Sequence, residues 1–379
     1  MKIPPCSLPV WKNLYDTALA FGNIEPWQWM SDIDVFGVQN PEDGEIGYCC
    51  VLGELGEVFG LVVYLGTEGL EQHRKIQSGK LHAGSPEFIY SQHCLTAWFG
   101  DRRELDKNDL KVIKQLGLKF HGSNAWPQFR SFQPGYYPWH LTESEGEARY
   151  LTLCLEQARD VALCLEEDPD WLSAPNKNHY LVRVPVDDPS QSGKAHENSI
   201  AGQPADSNSL MGQQLLFKPF DELHRWQWKN EWLKPAPLTR AKVRSYSIDE
   251  IRLQRIKNTS LAPHGIWEVD AFHAPNPVDG DNRPFFPYTF LCADHESGFI
   301  FDSVLAEPSM WQTEFCKAFL ESIETHKLVP STLWVRKEEF RELFEPVATR
   351  LGIEVRLTKK LPAIDRAKRE LLKFLKSRG

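Results

Sequence analysis

Apolar positions recur along the chain with two periods, and the switches between them mark out the elements. Between residues 8 and 22, Val10, Leu14, Ala18 and Phe21 fall on one helical stripe, with Pro9 acceptable in the first turn. Short apolar runs at 34–39, 46–52 and 58–65 then read as strands, separated by turn sequences at 40–44 and 53–56. Helical patterns follow at 67–77, 86–99, 107–116 and 142–166, and a late strand at 180–185. The expectation is an α+β N-terminal domain over 1–186, built on a small antiparallel sheet. Trp126, Phe129, Phe132, Tyr136, Tyr137 and Trp139 crowd one stretch that also holds Pro127, Pro134 and Pro138. With Arg130 as its one cation, that stretch is expected to be irregular and pinned by its own rings, not a base-stacking surface.

Residues 187–212 are polar, rich in Ser, Gly, Pro and Asn, and almost free of large apolar side chains, which predicts a flexible linker. The next segment, 213–244, carries Trp226, Trp228 and Trp232. The last two are spaced for one helical face, so it is expected to bridge the two halves.

From 245 to 379 the element order is the most informative feature of the chain. Residues 267–272 alternate as a strand, and 288–293 with 299–305 form a hairpin about the turn 294–298. Ser309 and Gln312 suggest a capping box for a helix bearing Trp311, Phe315, Phe319 and Ile323 on one face. A strand at 332–336 precedes a helix at 338–351 that Gly352 ends. A strand at 353–357 then leads to a final helix from Pro362, with Ile364, Ala367, Leu371 and Leu375 inward. The string is β-β-β-α-β-α-β-α, an α/β C-terminal domain with a mixed sheet.

This order resembles the ribonuclease H-like superfold. The resemblance implies carboxylates on the first strand, at the end of the fourth and on a late helix, where they hold divalent metals that flank reacting oxygens. Asp270 stands at the first position and Asp365 on the last helix. The fourth strand ends at Arg336, a cation in the place of the second acid, with Glu338 and Glu339 just beyond. Two function classes follow. The leading one is a non-catalytic module, without cofactor, that binds a protein or nucleic-acid partner. The competing one is a divergent Mg2+- or Mn2+-dependent nuclease or phosphoryl-transfer enzyme using Asp270, Glu338 and Asp365.

Charge and cysteine usage sharpen this picture. The 379 residues exceed what one core usually serves, which fits two domains. A formal net charge of −9 argues against indiscriminate nucleic-acid binding. The C-terminal helix departs from that balance: Arg366, Arg369, Lys373 and Lys376 line one side of it, which reads first as a solvated face with cations placed well at a helix C-terminus, and second as a set of candidate phosphate contacts. Eight cysteines form no C-x-x-C pair, and adjacent Cys49 and Cys50 in a strand must point to opposite faces, so no metal knuckle is expected and a reducing cytosol fits best. The start of the chain lacks the apolar stretch of a signal peptide, and no run spans a bilayer. Phosphate-loop, H-E-x-x-H, G-x-S-x-G and G-x-G-x-x-G patterns are missing, and the histidines fall at no ligand spacing.

A second resemblance covers nearly the whole chain outside the linker. The runs at 25–30, 36–41, 44–50, 64–70, 116–120 and 125–127 are similar to a bacterial family of uncharacterised proteins, and the half from Trp267 onward resembles the domain that usually follows. These positions are mostly aromatic, Gly and Pro, residues that build turns and packing, and they bring no catalytic residue with them.

Overall fold

The computed structural model describes residues 6–141, 145–186, 226–238, 250–259, 261–281 and 283–378. The stretch 187–212, expected as a linker, lies outside them, as do residues 213–225 and 239–244 of the segment after it and residues 245–249 of the C-terminal domain. In chain order the elements are α1 (Leu8–Gly22), β1 (Val35–Gln39), β2 (Ile46–Leu52), β3 (Phe59–Leu65), α2 (Gly66–Gln77), α3 (Pro86–Ser91), β4 (Cys94–Gly100), α4 (Lys107–Gln115), β5 (Trp126–Phe132), β6 (Trp139–His140), α5 (Glu145–Glu167), β7 (Tyr180–Val186) and β8 (Gln227–Leu233). They continue with α6 (Glu250–Asn258), β9 (Ala262–His273), β10 (Tyr288–Asp294), β11 (Ile300–Ala306), α7 (Trp311–His326), β12 (Leu328–Val335), α8 (Glu338–Leu351), β13 (Glu354–Leu357) and α9 (Pro362–Arg378). The chain divides into two compact units. Most of the first half forms one, while segments 82–92 and 132–138 group with residues 238–379 in the other.

The first unit holds an eight-stranded sheet in the order β6-β5-β4-β3-β2-β1-β7-β8. It is larger than the small antiparallel sheet expected, and it is mixed, because β7 runs parallel to β1. Three segments account for the difference. The helical reading of 86–99 is corrected: a short α3 stops at Ser91, and Cys94–Gly100 is a strand. That strand is buried on both sides, so it lacks the alternation that marks a half-exposed strand. The aromatic stretch expected to be irregular forms β5 and β6. Pro127 is tolerated because it sits next to the first residue of its strand. Trp228 and Trp232 lie on the edge strand β8, antiparallel to β7, and not on a helix. A four-residue spacing puts two side chains on one face in either conformation.

One face of this sheet packs on α1 and α5, through Phe36, Val38, Cys49, Val51, Leu61, Val63, Leu95 and Ala97. Cys50 points the other way and is also buried, so the pair does split across the sheet as strand geometry requires. Tyr150 of α5 ties two strands together: its hydroxyl accepts the Gly47 N–H at 2.6 Å and donates to the Val38 carbonyl at 2.8 Å. None of the eight cysteines forms a disulfide among the described residues. Among the described residues no helix is long and apolar enough to cross a membrane.

The second unit holds a five-stranded sheet in the order β11-β10-β9-β12-β13. β9, β10 and β11 are antiparallel, whereas β12 runs parallel to β9 and β13 to β12. The expected string β-β-β-α-β-α-β-α is therefore found, with α6 added before it. Gly352 ends α8 with φ +74°, the left-handed conformation that favours glycine. The expected capping box at Ser309 and Gln312 is corrected: α7 starts at Trp311 behind Met310, with no side-chain cap.

β9 sorts its residues between two cores. Trp267, Val269 and Ala271 face the cluster built with Phe315, Phe319, Phe340 and Phe344 of α7 and α8. Phe272, on the opposite face, joins Leu291, Ala293, Leu361 and Ile364 beneath α9. By strand alternation Glu268 and Asp270 belong to that same α9 face. Two acids are thus carried into an apolar layer.

Candidate functional site

The two acids on β9 meet different fates. Glu268 is fully buried, and both of its oxygens are used. Oε1 accepts from His295 Nδ1 at 2.5 Å and Oε2 from the backbone N–H of Ile364, in the first turn of α9, at 3.1 Å. The Trp334 ring lies 4.5 Å from that of His295. This arrangement fixes the start of α9 to the sheet and satisfies a charge that burial alone would forbid.

Asp270, one pleat further along β9, is 5% exposed. Its Oδ1 accepts the Ala271 N–H at 2.9 Å, and its Oδ2 lies 3.3 Å from Arg336 Nη1. The other terminal nitrogen of the same guanidinium donates to Asp365 Oδ1 at 2.6 Å. Arg336 follows the last residue of β12, and Asp365 lies in the first turn of α9. Because β9 and β12 are parallel neighbours, their carboxyl ends open on the same edge of the sheet. One arginine there spans two aspartates.

Two lysines complete the cluster. Lys337 donates to the Tyr288 hydroxyl at 2.7 Å and lies 3.4 Å from Glu339. The Tyr288 hydroxyl in turn lies 3.1 Å from Glu339 Oε1. Lys368, one helical turn beyond Asp365, sits 4.7 Å from the centre of the Phe272 ring. Burial raises the Asp270 pKa, against the lowering pull of Lys337, Arg336, the Ala271 N–H and Lys368. Burial likewise lowers the Lys368 pKa; Arg336 and Lys337 lower it further, while Asp270 and Asp365 oppose them.

Of the residues singled out from the sequence, Asp270 and Asp365 come together, on either side of Arg336. Glu338 does not join them; it faces along α8 and pairs with Arg341. Arg366, Arg369 and Lys373 are exposed on α9, and Lys376 follows two turns after Arg369. Lys337, Lys368, Glu268 and His295 do not stand out in the sequence. A signal for Lys368 exists, since three residues after Asp365 is one turn of helix. None exists for Glu268, whose partners lie 27 and 96 residues away.

The ribonuclease H-like order implies a divalent cation at these carboxylates, and the donor set does not fit one. Mg2+ and Mn2+ need oxygen ligands around one point. Here the space between the two aspartates is filled by a guanidinium, and two more ammonium groups lie close by. Among the described residues no group of three or more His, Cys, Asp or Glu is placed to hold a metal ion.

No curated protein matches the chain. Among solved structures it is similar to the HTLV-2 integrase catalytic core domain in complex with magnesium, at 19% identity, TM-score 0.23, covering 31% of this chain and 76% of that one. It is also similar to the BIV integrase catalytic core domain, at 16% identity, TM-score 0.22, covering 30% and 69%. A simian T-cell lymphotropic virus intasome, seen in complex with PP2A regulatory subunit B56 gamma, is similar at 20% identity and TM-score 0.24, over 32% of this chain and 43% of that one. Likeness at this level says nothing of activity. Two domain families of unknown function span the chain: DUF7309 matches residues 11–183 and DUF6930 matches residues 252–372.

Proposed function

We propose that the chain is a non-catalytic module of the cytosol, with domains over 1–186 and 245–379, that binds a protein or nucleic-acid partner and needs no metal ion. The observation that carries this reading is the single guanidinium bridging Asp270 and Asp365. Arg336 supplies positive charge at the point a divalent cation would have to occupy. A metal could enter only by breaking two charge-assisted contacts and then sharing the opening with Lys337 and Lys368. The exposed cations of α9 supply a surface for an anionic partner. Eight cysteines outside disulfides suit a reducing compartment.

The alternative, a Mg2+- or Mn2+-dependent nuclease or phosphoryl-transfer enzyme, requires the same aspartates to be free. The test is incubation of the intact chain with single- and double-stranded oligonucleotides, with EDTA or with Mn2+. The reading expects no cleavage in either condition. Mn2+-dependent cleavage that disappears in Asp270→Asn would overturn it in favour of the enzyme.

A further inference from the structure

We propose that one end of the first unit's sheet, around Ile33, Leu55 and Val58, is a docking surface for a Lys/Arg-rich amphipathic segment of a partner protein. This inference rests on the binding-module reading, takes its protein-partner arm, and names residues outside the Asp270 cluster.

Strand register brings the three side chains to one end. Val35 pairs with Cys50 in the antiparallel β1–β2 ladder, so Ile33 lies before β1 at the level where β2 ends. Leu55 and Val58 lie in the connection from β2 to β3, at that same end. Ile33, Leu55 and Val58 are 73%, 86% and 43% exposed, and Leu55 is the most exposed large apolar side chain among the described residues. Single exposed apolar residues are ordinary; three gathered at one end mark a contact surface. The turn carrying Leu55 is also held in shape. The Gly56 N–H donates to the Gly53 carbonyl at 2.9 Å, and Gly56 takes φ +74°. A Cβ at Gly53 would come within 2.5 Å of Trp27, whose ring packs 5.2 Å from that of Phe59. The root of the turn is thus fixed against the short helical turn Pro26–Gln28, and its tip presents Leu55 to solvent. An apolar anchor already held in place loses little freedom on binding.

Charge selects the occupant. From Asn13 to His73 the sequence has eleven Asp and Glu and no Lys or Arg. Asp32 and Asp34 flank Ile33, Glu54 precedes Leu55, Glu57 precedes Val58, and Glu25 precedes Pro26–Gln28. Among the described residues none of these five acids forms an ion pair with a Lys or Arg. The cations of the neighbouring segments are mostly engaged. Arg74 pairs with Glu71, Arg103 with Asp101, and Arg102 lies over the Trp126 ring, which leaves Lys75 and Lys80 on the α2 side. An apolar surface rimmed by carboxylates repels phosphodiesters and anionic lipid headgroups. A second copy docking through the same patch would set like charges face to face, because a twofold contact pairs each patch with itself. A protein segment that carries apolar side chains among Lys and Arg satisfies both features.

The probe is a fluorescent amphipathic peptide of about 18 residues built of Leu and Lys, with a Leu/Glu peptide of the same pattern as control. Polarisation with the intact chain should show binding of the first, weakening as salt rises, and none of the second. Leu55→Ser and Ile33→Ser should each weaken binding about 5- to 10-fold. Glu54→Gln with Glu57→Gln should weaken it about 5-fold at about 50 mM salt and hardly at about 500 mM. The same change of charge at Glu42 and Glu68, at the opposite end of the sheet, should leave affinity within about twofold. These positions are all exposed, so unchanged urea midpoints show that the variants remain folded. An equal loss in the Glu42 and Glu68 variant, or binding unmoved by both serine variants, would overturn the surface, as would failure of the Leu/Lys peptide to bind. Equal binding of the Leu/Glu peptide would overturn the choice of a cationic partner. Sedimentation of the intact chain alone checks the remaining occupant: dimers that Leu55→Ser dissociates would put a second copy in the partner's place and overturn the proposal. None of these outcomes bears on the metal-free reading, which the Mn2+ cleavage test decides separately.

Discussion

Replacing Arg336 by leucine removes the group that bridges Asp270 and Asp365, and the cost can be worked from their burial. Breaking one side of a fully buried ion pair costs about 3–5 kcal/mol. Asp270 meets that condition at 5% exposure, but the Arg336 side chain is 30% exposed, and Lys337 and Lys368 remain within electrostatic reach. These discounts bring the Asp270 share to about 2 kcal/mol. Asp365, with its side chain 38% exposed, adds about 0–1 kcal/mol. The sign of the pH dependence follows from Asp270. Its folded pKa is already raised, and losing Arg336 raises it further. The cost of the ionised carboxylate is fully present above the folded pKa and vanishes below the unfolded one. Urea denaturation of the intact chain should therefore show a deficit for Arg336→Leu that is largest near neutral pH and shrinks as the pH falls through the folded pKa of Asp270. Adding Asp270→Asn should recover most of it and abolish its pH dependence. A deficit independent of pH, or one that Asp270→Asn deepens, would show that the buried carboxylate is not its source.

Other expectations test the frame around the site. Tyr150→Phe leaves the buried Gly47 N–H and Val38 carbonyl without partners and should cost about 1–3 kcal/mol in a denaturant titration. Glu268→Gln keeps the shape but turns an amide NH2 toward one of the two donors the carboxylate accepts from, so about 1–3 kcal/mol should be lost, with faster hydrogen exchange in the first turn of α9. Gly352→Ala should cost about 1 kcal/mol: φ is +74° and an added Cβ would meet nothing within 4 Å, so the loss is conformational alone. Charge reversal at Arg369 and Lys373 should weaken oligonucleotide binding and flatten its salt dependence; unchanged polarisation curves would remove α9 from the surface.

How much of this is legible in the sequence depends on whether the pattern of a segment is local. The second half can be read because its strands and helices alternate cleanly: Phe315 and Phe319 repeat at helical spacing, and Gly352 stands where a helix must end. The first half is harder. β4 is buried on both faces, so Cys94–Gly100 offers no alternation to separate it from a helix. Trp228 and Trp232 fit either conformation, and only pairing with β7 decides between them. The site is half visible. Asp270, Arg336 and Asp365 can each be placed on an element from sequence, and Arg336 stands out as the wrong charge for a metal ligand. That it reaches both aspartates depends on the docking of α9, which the buried Glu268 fixes through Ile364, 96 residues away. Contacts of that range leave no trace in local periodicity.

The decisive question is whether a divalent metal binds between Asp270 and Asp365. Mn2+ titrated into the intact chain, with the free ion followed by electron paramagnetic resonance, answers it without any assumed substrate. With Arg336 holding the place of a cation, no stoichiometric site is expected in the unmodified chain. Stoichiometric Mn2+ binding that is lost in both Asp270→Asn and Asp365→Asn would overturn that assignment, because the guanidinium of Arg336 would then be yielding its place to the metal.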